Sequence, residues 1–356
     1  MLAKVINIEI CESCFNVCII YIIKSIMFQP FKGFYWILFI LLFPIAVFSQ
    51  ASKYHYIPPL SVDGTSGSNA ATFRGQKMYL STPSNAPVNY TIWPLPLNNA
   101  TKITGTIDKL SPTETLVNNT DYYIIPNGSG DGVFSQLFVS SENAGTVTST
   151  KGYYIEADAP IYVSIRYNIV SQSSGFVSKG EAGLGKSFRT GGFTNGNPTD
   201  ANYLNFASVM AVEAGTTTVT FSDINNNAGD GYADMENIAE VYDGSGNIAD
   251  IEITLNQFET FVIATRAPKR GNNPSTGTEN PPTAAQGEPY PITNRDALIG
   301  MLIESDKNIA VTMGGANGSM TESKNGRDQG VDQIVGLDKI GNEFIFIKGA
   351  QRYLIP

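Results

Sequence analysis

Gly152-Tyr-Tyr-Ile-Glu-Ala-Asp-Ala-Pro-Ile-Tyr-Val163 and Gly300-Met-Leu-Ile-Glu-Ser-Asp-Lys-Asn-Ile-Ala-Val311 are two versions of one segment. Gly, Ile, Glu, Asp, Ile and Val stand at the same offsets in both. The likeness extends outward. Thr115-Leu116 leading to Tyr122-Tyr123-Ile124 echoes Thr254-Leu255 leading to Phe261-Val262-Ile263, and Leu184-Gly185-Lys186-Ser187-Phe188 echoes Ile340-Gly341-Asn342-Glu343-Phe344. A module therefore occurs twice at a spacing of about 150 residues, and a third copy is expected to begin near Phe344.

The texture of each copy is β. Thr, Val, Ile, Tyr and Phe recur in short runs broken by Asn, Gly, Ser, Asp and Pro, and alternation is plain in Ile161-Tyr-Val-Ser-Ile165 and Thr217-Thr-Val-Thr-Phe221. No window offers a long capped amphipathic helix. The expected fold is all-β: tandem antiparallel modules of six or seven short strands, sandwich-like, with propeller-like blades as the alternative. A Thr-Leu hairpin and an Ile-Glu-x-Asp hairpin are expected in each copy, the Asp opening a tight turn.

The amino-terminal part reads as an export signal. Lys32 precedes an apolar block, Phe34 to Phe48, of about 15 residues, which is too short to span a bilayer comfortably, since that takes about 20. Val47 and Ser49 suit cleavage before Gln50. Residues 1–26 are read as an upstream mis-start or an extra apolar segment, 27–49 as the signal peptide, and 50–190 and 191–338 as the two modules. Residues 339–356 are expected to open a truncated third, in the amino-terminal part of something longer. Insertions fall at 222–250 and 266–296, the second with the makings of a mobile surface loop.

The three cysteines, Cys11, Cys14 and Cys18, all lie in the first segment, so the chain from Gln50 on has neither disulfide nor thiol chemistry. Of 23 basic and 32 acidic residues, three and two precede Gln50, leaving 20 and 30 beyond it. Such an acidic surface repels phosphate backbones and argues against nucleic acid as a partner.

Several motifs invite chemistry. Gly180-Glu-Ala-Gly-Leu-Gly185-Lys186-Ser187 matches the phosphate-binding loop, but Phe188-Arg-Thr-Gly-Gly192 cannot continue as the required helix, and the second copy lacks the lysine. No nucleotide is expected. The pairs Glu156/Asp158 and Glu304/Asp306 have the residue types of a glycosidase. Their recurrence in both copies points instead to a shared structural task. His55 is the only histidine, which excludes a multi-histidine metal site, and no nucleophile elbow accompanies it; packing or a surface contact is expected. The oxygen-rich run Asp223, Asn225, Asn227, Asp230, Asp234 and Glu236 is a candidate calcium loop, although its spacing departs from the twelve-residue pattern. No other cofactor is expected.

Dispersed motifs carry a resemblance. They are Tyr54-His-Tyr-Ile-Pro-Pro-Leu60, Tyr79-Leu-Ser-Thr-Pro-Ser84, the Gly152 segment, Tyr203-Leu-Asn-Phe-Ala-Ser-Val-Met-Ala-Val-Glu213, Asn294-Arg-Asp-Ala-Leu-Ile-Gly300, Asn317-Gly-Ser319 and Gly326-Arg-Asp-Gln-Gly-Val-Asp-Gln-Ile334. Over nearly all of 52–356 the chain resembles the IgGFc-binding-type amino-terminal domain of large Bacteroidetes surface proteins, often linked to gliding motility and type IX secretion. The resemblance implies a secreted or cell-surface protein of adhesive or binding character, without catalysis. Exposed tyrosines and Asn/Thr-rich loops suit contacts with extracellular polysaccharide, glycoprotein or other surface proteins. The resemblance implies membrane association only through the signal peptide or secretion route. A secreted carbohydrate-active enzyme and a structural spacer are the alternatives.

Overall fold

The computed structural model describes residues 50–62, 73–107, 121–124, 136–140, 143–169, 172–192, 205–224, 248–265, 271–272, 279–280, 297–318 and 328–340. The upstream side of the expected cleavage site and the third module's expected strand, from 341 on, lie outside them. So does the 266–296 insertion, apart from one short ladder.

Strands in the first half are β1 (Ser52–Ile57), β2 (Leu60–Val62), β3 (Phe73–Ser81), β4 (Val88–Pro94), β5 (Ile103–Ile107), β6 (Asp121–Ile124), β7 (Phe138–Ser140), β8 (Val147–Thr148), β9 (Tyr153–Ile169) and β10 (Gln172–Val177). The second half has β11 (Gly185–Arg189), β12 (Asn205–Ala211), β13 (Thr217–Ser222), β14 (Ile251–Leu255), β15 (Thr260–Ala264), β16 (Gly271–Asn272), β17 (Glu279–Asn280), β18 (Leu302–Gly318) and β19 (Asp328–Ile334). One sheet runs β5-β4-β9-β3-β6, with β1 and β10 also on β9. The other runs β14-β13-β18-β12-β15-β8, with β11 and β19 also on β18. Strand for strand the two correspond: β1 with β11, β3 with β12, β4 with β13, β5 with β14, β6 with β15, β9 with β18 and β10 with β19. These are antiparallel sheets built around one long strand each, not four-stranded blades.

The repeated segment opens that long strand. Gly152 and Gly300 just precede it, with φ of 103° and 87°, a region that favours glycine. The expected Ile-Glu-x-Asp hairpin does not form: β9 and β18 each run on for 17 residues. What changes there is the partner. β4 pairs with Tyr153–Ala157 and β3 takes over at Tyr162, while β13 pairs with Leu302–Ser305 and β12 takes over at Ile309. Asp158 and Asp306 occupy the gap. Each accepts the backbone N–H of the neighbouring strand, from Asn89 at 3.0 Å and from Thr218 at 2.9 Å. The Asp thus caps a strand start instead of opening a turn.

Odd-numbered residues of β9 (Tyr153, Ile155, Ile161, Val163, Ile165, Tyr167) point into the first core. Those of β18 (Ile303, Ile309, Val311, Met313) point into the second. Each such side chain, fully buried, contributes about 1.5–3 kcal/mol relative to exposure. The Thr254-Leu255 hairpin is also absent. β14 and β15 lie far apart in the sheet order, yet a tight turn joins them, with Glu259 N–H donating to Asn256 O at 2.9 Å. The sheet must roll until its two ends meet, so the second module is a nearly closed barrel instead of a flat sandwich.

β12 and β15 are buried at every residue. Ala207, Val209 and Ala211 face the barrel interior, while Phe206 enters the first core and Met210 packs with Leu95 at the seam. Val262 and Ala264 of β15 also join the first core. These strands are a shared wall, read in sequence as near-continuous apolar runs.

A Cβ at Gly152 would sit 2.6 Å from Ile57 O, whereas one at Gly300 meets nothing within 4 Å. Gly300→Ala is expected to cost about 1–2 kcal/mol from backbone alone, and Gly152→Ala distinctly more. Urea unfolding of the two variants side by side reads the difference; equal losses would contradict the packing assigned to Gly152.

Candidate binding surface

On β1, β9, β4 and β5 the residues that alternate with the core form an outward face in register. Tyr56, Tyr154 and Trp93 lie opposite one another on three neighbouring strands, and Lys102 sits with its ammonium 5.2 Å from the Trp93 ring centroid. The next row is Tyr54, Glu156, Thr91 and Thr104. A third joins Asp158, Asn89 and Thr106, with Asn89 Nδ2 donating to Asp158 at 2.9 Å and Thr106 Oγ1 to Asn89 Oδ1 at 2.8 Å.

The aromatic rings are ordered against each other. Tyr54 and Tyr154 are 9° from parallel at 6.5 Å, and Tyr56 lies 5.4 Å from Tyr154. Glu156 reaches both sides, accepting from Trp93 Nε1 at 3.3 Å and from Tyr154 OH at 3.4 Å. Phe258, from the β14–β15 turn, packs 5.1 Å from Tyr154 and holds a φ of 66° to do so. Such a conformation is uncommon for a bulky residue. Burial, then neighbouring negative charge, pushes the Tyr56 hydroxyl up to about 12, and burial raises that of Tyr154 further. Both hydroxyls stay protonated and neutral. Tyr54 remains 39% exposed, so the face is open at that edge.

The other motifs find structural work. Gly180–Gly183 is a short 3-10 turn and Gly185–Arg189 is a strand, so no helix N-terminus follows the phosphate-loop look-alike. Its lysine, Lys186, donates to Asp306 O at 2.8 Å. Its glycines serve close packing: a Cβ at Gly180 would meet Ser52 and one at Gly185 would meet Gly336. Of the calcium candidates, Asp223 pairs with Arg189 at 2.6 Å, while Asn225, Asn227, Asp230, Asp234 and Glu236 lie outside the described residues. A groove of about 460 Å³ along β10 and β19 is walled largely by glycine backbone, with Ser174 and Asp332 as its polar side chains.

His55 is fully buried. Its Nε2 lies 3.0 Å from Ile161 O and 3.2 Å from Ser52 O, both acceptors, so that nitrogen carries the proton. Nδ1 lies 3.0 Å from Ser178 Oγ, whose single proton also faces Gln333 Oε1 at 3.0 Å. Gln333 belongs to β19 and donates to Tyr56 O at 2.6 Å, so this buried network ties the two modules. Periodicity could not reveal it, because its side chains, His55, Ser178 and Gln333, come from separate parts of the chain.

A family model described as IgGFc binding protein matches residues 173–354, just over half of the chain. The chain belongs to the IgGFc-binding family. The match begins in β10 and takes in the second module, a shorter span than the resemblance over 52–356. The strand correspondence carries the same architecture into the first module. Comparison with curated proteins and with solved structures returned no match. Among the described residues, no helix is long and apolar enough to cross a membrane.

Desolvation lowers His55 from 6.5 to about 4, against its two carbonyl contacts. The unfolded chain then binds the proton more readily, so this stabilisation is complete above about pH 6.5 and is lost as pH falls toward 4. Stability is expected to drop by about 2 kcal/mol between pH 7.5 and 5 from this group. His55→Gln should flatten the slope in denaturant titrations at several pH values; an unchanged slope would show that His55 is not its source.

Proposed function

We propose that this chain is an exported, non-catalytic binding domain that works outside the cell, adhering to extracellular proteins or polysaccharides. Its setting is the surface of a gliding-type bacterium using type IX secretion. The observation that carries the reading is the family match across β10 and the second module. The apolar block before Gln50 supports export. Adhesion also fits how the carboxylates are used. Asp158 and Asp306 each accept the backbone N–H at a strand start, which gives the recurrent carboxylate the same structural task in both copies.

Binding to immobilised mucin, immunoglobulin and a set of polysaccharides tests the proposal directly. Saturable retention on one of them by a sample with a cooperative melt is the expected result. Repeating it with a chelator reads the contribution of the 223–236 loop. A well-folded sample that saturates on none of them overturns the reading.

A further inference from the structure

We propose that the outer face of β1, β9, β4 and β5 is a binding site for neutral pyranose polysaccharide, with Trp93 and Tyr54 as its stacking residues. This rests on the binding role proposed above and names the surface and ligand class.

The duplication supplies an internal control. Register places Arg189, Leu302 and Ser222 in the second module where the first has Tyr56, Tyr154 and Trp93, and Ser187 where it has Tyr54. Asp250 stands in place of Lys102 by the same register. Yet Glu156 and Glu304, Thr91 and Thr220, and Asp158 and Asp306 are retained between the modules. What the backbone needs is therefore present in both, and the aromatic row is not part of it. Phe258 accounts for Tyr154 and Tyr56, which pack beneath it at the seam with Leu95 and Met210. It does not account for Trp93 or Tyr54, which flank Tyr154 on opposite strands.

The geometry suits a sugar chain. Trp93 and Tyr54 stand on the two strands that flank β9, about 10 Å apart across the sheet at the usual inter-strand spacing, and apolar sugar faces stack on such rings. Beside them runs a polar row in which Glu156 holds only long contacts, so its carboxylate keeps lone pairs for sugar hydroxyls. Thr91 and Thr104 add hydroxyls of their own. Charge narrows the class. Glu156, Asp158 and the adjacent Glu181, bonded to Ser52 at 2.9 Å, outnumber Lys102 on this face. A polyanion would be repelled, whereas an uncharged, hydroxyl-rich polymer would not.

The chain contains two tryptophans, Trp36 and Trp93. In full-length protein carrying Trp36→Phe, Trp93 is thus the single indole, and its emission reports on the proposed site. Titration with soluble mixed-linkage β-glucan, xylan and galactomannan is expected to shift that emission saturably with at least one polymer, while heparin and polygalacturonate leave it unchanged. Trp93→Ala and Tyr54→Ala, read by affinity electrophoresis, should each weaken binding about tenfold, with melts confirming the fold. Ser222→Ala, at the matching place in the second module, should leave it intact. Undiminished binding by both aromatic variants overturns the assignment of this face. Saturation only on a protein or an anionic polymer overturns the ligand class while leaving the binding role standing. A folded sample that saturates on nothing overturns both.

Discussion

A 17-residue strand in each sheet, with apolar residues on its inward face on either side of the Asp158 or Asp306 step, is the constraint from which the rest follows. At about 3.3 Å per residue such a strand extends over 50 Å, far beyond any of its neighbours. It can be paired only by handing over from one set of strands to another. That handover, at Asp158 in β9 and Asp306 in β18, divides each module into two halves that curl around a common interior. The aspartates occupy the place where the ladder lapses and satisfy an otherwise unpaired amide. Each such bond contributes only about 0.5–1.5 kcal/mol, small beside the buried Ile and Val. Its importance is positional, because it sets where the next strand begins.

The second requirement is that the modules share a wall. β12 and β15 give alternate residues to their own barrel and to the seam or first core, so each of those surfaces is complete only with both modules present. β8, from the first half, adds to the edge of the second sheet beside β15. Gln333 reaches back to Tyr56 and Ser178, and Phe258 covers Tyr154. A polar network and an aromatic contact thus reinforce the same apolar seam from different sides.

Much of this was legible in the sequence. Period-two alternation revealed the strands, and the self-similarity of Gly152–Val163 and Gly300–Val311 revealed the duplication with its long strand's starting point. The Asp-Ala-Pro and Asp-Lys-Asn steps were misread as turns, because local turn chemistry resembles that of a strand crossing between partners. Rolling of the barrel was hidden as well, since Thr254-Leu255 looks like a hairpin until β13 is known to be the partner of β14. The aromatic face was half visible: Tyr54 and Tyr56 stood out, but Trp93 and Tyr154 join them only through register. Of the two readings of His55, packing and a surface contact, the structure shows packing, with polar partners that include Ser178 and Ile161, each more than 100 residues away in the chain.

The double-sided burial of β12 bears on how this family should be parsed. A segment recognised by sequence from residue 173 onward looks like a domain, but in this chain it shares its apolar wall with the preceding module. Severed there, Phe206, Met210, Val262 and Ala264 would face water, a greasy scar in place of a surface. Evolutionary shuffling of such a unit would have to carry its preceding copy along, or repaint that flank with polar residues.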